Sequence, residues 1–352
     1  MIEKPGKDWI DVDLTWAAAE YQKFVEAALR LKGLPAVEKR DLLDGRTVYF
    51  MFFNQSLRTR SSFHTGLAKM GGHAVHLDPG SGIYLPALPG QEIPYVTERV
   101  SDVARVLSEF GDAIAIRMYG EPSGWVYGSA NEFINEFGRH AGIPVINMEC
   151  DRFHPCQALA DVMTMKERVG DLKRRKLTIS WAYSGSWHKP VAVPQSLLLA
   201  AAKMGMDITV AHPPGFDLDP AVVAAARGFA ADSDSSIRIT NDFADGVTDA
   251  DFVYAKSWCS LEHLPTNRSE AVDEEGMTKL FEQARDWCVD DRTMALARES
   301  VGYLHCLPAD RDQEVTPSVI DGPQSLIYQQ AGNRMHGQNA IMTMLMNPAG
   351  LA

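Results

Sequence analysis

Short apolar runs alternate with helix-spaced segments along the whole chain, and this leaves few architectures open. Val48–Phe53, Ala113–Met118, Pro144–Met148, Lys176–Ala182, Asp207–Ala211, Asp251–Tyr254 and Val301–Cys306 are short, and most are rich in Val, Ile or aromatic residues. They read as strands buried on both faces. Between them apolar residues return at helical spacing, as in Val96, Val100, Val103, Leu107 and Phe110, or Leu197, Ala200, Ala201 and Met204. Strand–helix alternation predicts α/β architecture, with doubly wound parallel sheets covered by helices on both faces.

A chain of 352 residues, 45% of them hydrophobic, supports two cores rather than one. The expected break lies near residues 150–155, where Pro155 disfavours helix at His154 and so marks a loop or hinge. Residues 1–150 and 330–352 are expected to form one domain and residues 151–329 the other. The last helix, about Gln329–Met346, would pack back on the first domain. The polar stretch Thr266–Gly276 reads as a surface insertion.

The net charge of −12 argues against nucleic acid, since an acidic chain gains nothing from counterion release. No basic amphipathic segment suggests a membrane surface, and the most apolar stretch, about Val191–Met206, is broken by Gln195, Ser196 and Lys203. Residues Met1–Asp13 lack the apolar core of a secretory signal. The five cysteines, Cys150, Cys156, Cys259, Cys288 and Cys306, are odd in number and form no C-x-x-C pair. We therefore expect reduced thiols in a cytoplasmic protein, with no metal site.

Against that acidic field, an anion must be held by a local basic cluster. The segment Asn54-Gln55-Ser56-Leu57-Arg58-Thr59-Arg60 follows a strand and opens a helix near Ser56. Free N–H groups at a helix start, two hydroxyls and a guanidinium fork suit a phosphate; an N-cap followed by exposed arginines is the plainer alternative. His154-Pro155-Cys156-Gln157-Ala158-Leu159-Ala160-Asp161 begins at the hinge, where the imidazole of His154 and the amide of Gln157 could polarise a carbonyl or simply cap a helix. His305-Cys306-Leu307-Pro308-Ala309-Asp310 follows a strand at the carboxyl edge, where open α/β sheets bind ligands, although an ordinary strand end would look the same. Arg117 ends a strand and Arg334 lies early in the last helix; each alone would pass for a surface arginine. All five features fall at strand ends or helix starts, where they could line one cleft.

These residues resemble the aspartate/ornithine carbamoyltransferase superfamily. Ser56-Leu57-Arg58-Thr59-Arg60 is similar to its S-x-R-T-R motif, His154-Pro155-Cys156-Gln157 to its H-P-x-Q, and His305-Cys306-Leu307-Pro308 to the H-C-L-P of the ornithine branch. Val145-Ile146-Asn147-Met148-Glu149 and Tyr254-Ala255-Lys256-Ser257-Trp258 resemble the N-acetylornithine carbamoyltransferase branch more closely, as does Tyr183–Pro194. In that branch the last segment forms a loop through which the chain passes, so the resemblance implies a knot, which is otherwise nearly absent from proteins.

The resemblance implies transfer of the carbamoyl group of carbamoyl phosphate to a small amine, with no cofactor. It gives Ser56, Leu57, Arg58, Thr59, Tyr84, Arg117, His154, Gln157 and Arg334 to carbamoyl phosphate. It gives Asn147, Glu149, Lys256, Trp258, Cys306, Leu307 and Asp310 to the acceptor. Arg58, Thr59, His154, Gln157 and Cys306 would be catalytic. It also implies a homotrimer with shared active sites, Tyr84 standing where the acetylornithine enzymes have a Trp supplied by a neighbouring subunit. Two departures bear on the acceptor: Asp310 and Asn339 stand where those enzymes carry Arg and Lys. An Asp there repels a carboxylate, so the expected acceptor is a small amino acid or diamine-type amine; the competing readings are that Asp310 pairs with Arg311 or another basic residue and faces away, or that Arg311 reaches in and takes over the missing Arg's role. N-acetylornithine or ornithine is the alternative, and a silent carbamoyl-phosphate-binding relative a further one. An oxidoreductase on a similar fold is disfavoured because no G-x-G-x-x-G follows an expected strand.

Overall fold

The computed structural model describes residues 8–351 except 95 and 97. It contains two separate parallel sheets. The first has strands β1 (Thr47–Phe52), β2 (His73–Leu77), β3 (Ala113–Arg117) and β4 (Val145–Glu149), in the order β2-β1-β3-β4. The second has β5 (Lys176–Trp181), β6 (Asp207–Ala211), β7 (Ile237–Thr240), β8 (Phe252–Lys256) and β9 (Gly302–Leu304), in the order β7-β6-β5-β8-β9. Every pairing between them is parallel, as expected when helices cover both faces.

All seven expected strands are present within a residue or two at either end, the shortest being β9 at Gly302–Leu304. The sequence reading missed β2 and β7. Both are edge strands, and neither is fully buried, so neither carries the continuous apolar run by which the others are recognised. By contrast, β3, β4 and β8 are buried throughout.

The last helix, Ile327–Met346, packs on Ala18–Gly33, on Arg58–Lys69 and on Pro155–Val169. It therefore ties the carboxyl end of the chain back to the first half, as expected. Residues ahead of the first sheet also belong to it: Trp9 bridges to Ile146 of β4, its N–H donating to the Val145 carbonyl at 2.8 Å. Among the described residues no helix is long and apolar enough to cross a membrane, and the five cysteines are free.

Candidate active site

The carboxyl ends of β3, β4 and β8, with the loop after β9, open on one cavity of about 220 Å³. Two helix starts, at Arg58 and Pro155, face the same space. Ser56, Arg58, Thr59, Arg117, Glu149, His154, Gln157, Lys256, Cys306, Leu307 and Arg334 all line it. Residues far apart in sequence thus meet, as the placement of the motifs at element ends requires.

The helix opens at Arg58 rather than Ser56 and has no side-chain cap, so its first N–H groups are left for an outside acceptor. Thr59 is buried, and its hydroxyl oxygen accepts from Arg117 Nη1 at 3.2 Å and from Arg334 Nη2 at 2.8 Å. With both lone pairs engaged, the Thr59 proton is left to donate to something else. Arg117 is buried at the end of β3. A register shift between Ile116 and Arg117 sets it opposite Glu149, whose carboxylate it pairs. Its Nη2 donates to the Tyr119 hydroxyl at 3.1 Å. Arg58 differs from both other arginines: among the described residues its guanidinium has no hydrogen-bond or ion-pair partner, although it lines the cavity.

His154 precedes Pro155 as the N-cap residue, and its N–H donates to Ser196 Oγ at 2.8 Å. Its Nε2 lies 3.4 Å from Glu149, and Nδ1 is buried without a partner. Burial, with Arg334, Arg117 and Arg58 adding to it, holds the imidazole well below its ordinary pKa. It is therefore neutral at pH 7 and offers one N–H without adding charge. Gln157 accepts from Arg334 Nη1 and donates to Asp161 Oδ1 at 2.7 Å.

On the other side of the cavity the decisive group is one the sequence reading did not single out. Glu314 is fully buried. It accepts from Lys256 Nζ at 3.1 Å, from the Ser257 N–H at 2.8 Å and from the Asp310 N–H at 2.9 Å, and it lies 3.3 Å from His305 Nε2. Burial opposes its ionisation, yet Lys256, His305 and Lys189 together hold it far below the usual carboxylate range. Glu314 thereby joins the end of β8 to the loop after β9. Its only sequence signal was a lone acid nine residues beyond His305. Lys189, from the Tyr183–Pro194 segment, and Tyr119, two residues after Arg117, also line the cavity and carried no separate signal.

Some expected residues lie elsewhere. Asn147 is buried against the residues ahead of the first sheet, its Nδ2 donating to Cys150 Sγ at 3.3 Å. Trp258 is enclosed in the large apolar core, its indole N–H donating to the Phe216 carbonyl at 2.9 Å. Leu57 and Tyr84 are 76% and 74% exposed and do not line the cavity of this chain. Asp310 sits at its margin, and its carboxylate accepts from Lys189 Nζ at 2.5 Å and Ser184 Oγ at 2.6 Å. Burial works against ionisation there, but these partners hold the carboxyl below its ordinary value. Arg311 turns to Asp321 at 2.7 Å instead.

Chemically, the cavity is lined by three arginines and the Thr59 hydroxyl at one end and by Lys189 and Lys256 at the other, these lysines being paired by Asp310 and Glu314 outside the lining. Comparison with known proteins agrees with that division. Residues 7–167 match the aspartate/ornithine carbamoyltransferase, carbamoyl-P binding domain, and residues 178–345 match the Asp/Orn binding domain. The ornithine carbamoyltransferase of Listeria innocua is 36% identical over 346 residues, covering 97% of this chain and 96% of that protein. The N-acetylornithine carbamoyltransferase of Xylella fastidiosa is 36% identical over 310 residues, covering 86% and 89%. The crystal structure of acetylornithine transcarbamylase complexed with acetylcitrulline superposes with a TM-score of 0.88 at 32% identity, covering 97% of this chain and all of that one. A related structure with the same score holds carbamyl phosphate and N-succinyl-L-norvaline. The chain belongs to the aspartate/ornithine carbamoyltransferase family.

Proposed function

We propose that this protein transfers the carbamoyl group of carbamoyl phosphate to the amino group of a small amino acid or diamine, releasing phosphate. One observation carries the reading: Arg58, Thr59, Arg117 and Arg334 meet around one cavity, with Arg58 left unpartnered by the described residues. In this reading Ser56, Arg58, Thr59 and Arg117 hold the phosphate, and His154, Gln157 and Arg334 hold the carbamoyl group. The acceptor nitrogen attacks the carbamoyl carbon, and an oxyanion forms against Thr59 and the neutral His154. The carbon–oxygen bond to phosphate then breaks, and phosphate departs with the proton that the amine loses. Positioning and charge stabilisation supply the catalysis.

The acceptor is read from charge balance. Lys189 and Lys256 are matched by Asp310 and Glu314, so no free cation waits beside Asp310 for an additional carboxylate. A zwitterionic amino acid or a diamine suits that balance better than an N-acylated amino acid, whose head carries a net negative charge. Glu149, Lys256, Cys306 and Leu307, which line the cavity, would complete the acceptor side. Exposed Leu57 and Tyr84 support a homotrimer in which Tyr84 reaches a neighbour's site, and the free thiols support a cytosolic location. The test is a side-by-side assay of ornithine, N-acetylornithine, 2,3-diaminopropionate and putrescine with labelled carbamoyl phosphate. One of the free amines should give the highest kcat/KM; a tenfold lead for N-acetylornithine would overturn the acceptor reading and leave carbamoyl transfer standing.

A further inference from the structure

Behind the cavity wall runs a continuous buried hydrogen-bonded path. The Thr59 hydroxyl accepts from Arg334, whose other terminal nitrogen donates to Gln157 Oε1. Gln157 Nε2 donates to Asp161 Oδ1 at 2.7 Å. The same oxygen accepts from Gln330 Nε2 at 2.6 Å. Gln330 Oε1 in turn accepts the His305 N–H at 2.9 Å. His305 Nδ1 accepts the Leu307 N–H at 2.9 Å, and its Nε2 faces Glu314. Gln157, Asp161 and Gln330 are all enclosed, at 1%, 0% and 0% exposure.

An amide side chain has two ends of opposite hydrogen-bonding character, and nothing in its shape decides which way it lies. Here one carboxylate oxygen decides for two amides. By accepting from both Nε2 groups it turns Gln157 Oε1 toward Arg334 and Gln330 Oε1 toward the His305 N–H. Were Gln157 reversed, its NH2 would meet the guanidinium and leave two donors facing each other in a dry interior. Were Gln330 reversed, the His305 N–H would lose its acceptor. Such buried unmade bonds are costly.

We infer that Asp161 is a positioning residue that orients Gln157 on the carbamoyl phosphate side and Gln330 on the His305–Leu307 side at once, and so couples the geometry of the two substrate subsites. Asp161 does not line the cavity, so its action is through these amides. The inference rests on the carbamoyl-transfer reading above, and wild-type binding of carbamoyl phosphate tests that reading separately.

The experiment compares Asp161→Asn, Asp161→Leu and Gln330→Leu with wild type. Carbamoyl phosphate affinity is measured by calorimetry. KM and kcat are measured with whichever of L-ornithine or 2,3-diaminopropionate the wild type turns over faster. Asn keeps an oxygen that can accept from both amides, whereas Leu, of similar size, keeps none. We expect Asp161→Leu to weaken carbamoyl phosphate binding by about tenfold and to raise the acceptor KM by a similar factor, as loss of a buried acceptor shared by two amides implies. Asp161→Asn should stay within about threefold of wild type in both. Gln330→Leu should raise the acceptor KM and leave carbamoyl phosphate affinity unchanged. That variant also keeps the test open should Asp161→Leu fail to fold. If the Asn variant is as impaired as the Leu variant, or if Gln330→Leu leaves the acceptor KM at its wild-type value, the orienting role is wrong. If wild type itself does not bind carbamoyl phosphate, the fault lies in the functional reading.

Discussion

Replacing Arg58 by alanine should separate binding from stability, because this guanidinium belongs to the cavity and not to the fold. It is half-buried and lacks any protein partner among the described residues, while Arg117 and Arg334 are engaged by Glu149, Thr59 and Gln157. A hydrogen bond to a charged group contributes about 1.5–3 kcal/mol. At about 1.4 kcal/mol per factor of ten, the variant should bind carbamoyl phosphate roughly 10- to 150-fold more weakly. The unliganded protein should change by no more than about 0.5 kcal/mol, because no hydrogen bond or ion pair to the described residues is broken and the repulsion from Arg117 is relieved. Arg117→Ala should behave differently: it leaves Glu149 buried without its guanidinium, which costs about 3–5 kcal/mol. Calorimetric titration with carbamoyl phosphate, alongside thermal melting of the unliganded proteins, reads both quantities. Wild type should gain about 2.7 kcal/mol at roughly 100 times Kd, and the Arg58 variant far less at the same concentration. Affinity within about threefold of wild type, or a loss of unliganded stability matching that of Arg117→Ala, would refute the assignment.

Glu314→Gln should destabilise the protein at pH 7 by about 3–5 kcal/mol by stranding the buried Lys256 ammonium, as urea denaturation can measure. The wild-type carboxyl titrates far below its free value of 4.5, so its contribution is complete above that pH and is lost as pH falls below it. The gap between variant and wild type should therefore narrow in acid, and a gap unchanged down to about pH 3 would contradict the cause. His154→Gln should lower kcat by about 100-fold. Because burial and three arginines keep the wild-type imidazole neutral well below 6.5, any limb of the rate profile near that pH should survive the substitution. Light scattering of the active enzyme should give three chains per particle, and a monomer that turns over would remove Tyr84 from the site.

What could be read from the sequence follows from burial. β3, β4 and β8, buried along their whole length, had apolar runs that marked them within a residue or two. β2 and β7 are sheet edges whose polar and exposed positions broke the pattern. The site divides along a similar line. Arg58, Thr59, His154 and Gln157 lie in compact local motifs, so the order of residues alone made their chemistry visible. Glu314 and Asp161 each join a partner four residues away to a distant one, Lys256 at 58 positions and Gln330 at 169. No local pattern announces that. Asp310 shows the remaining gap: its charge was evident, but its partner, Lys189 at 2.5 Å, lies 121 residues earlier, and the neighbouring Arg311 proved irrelevant to it.

The bond from Arg334 to the Thr59 hydroxyl spans 275 residues, and it orders events during synthesis. Thr59 leaves the ribosome 275 residues ahead of the guanidinium that completes its surroundings. Until the Ile327–Met346 helix docks, a growing chain lacks the guanidinium assigned to the carbamoyl group, and Gln157 lacks its charged partner. Fragments that stop short of that helix, whether by stalled translation or by proteolysis, should neither sequester nor consume carbamoyl phosphate. Activity in this fold is thus a property that the final helix confers on everything before it.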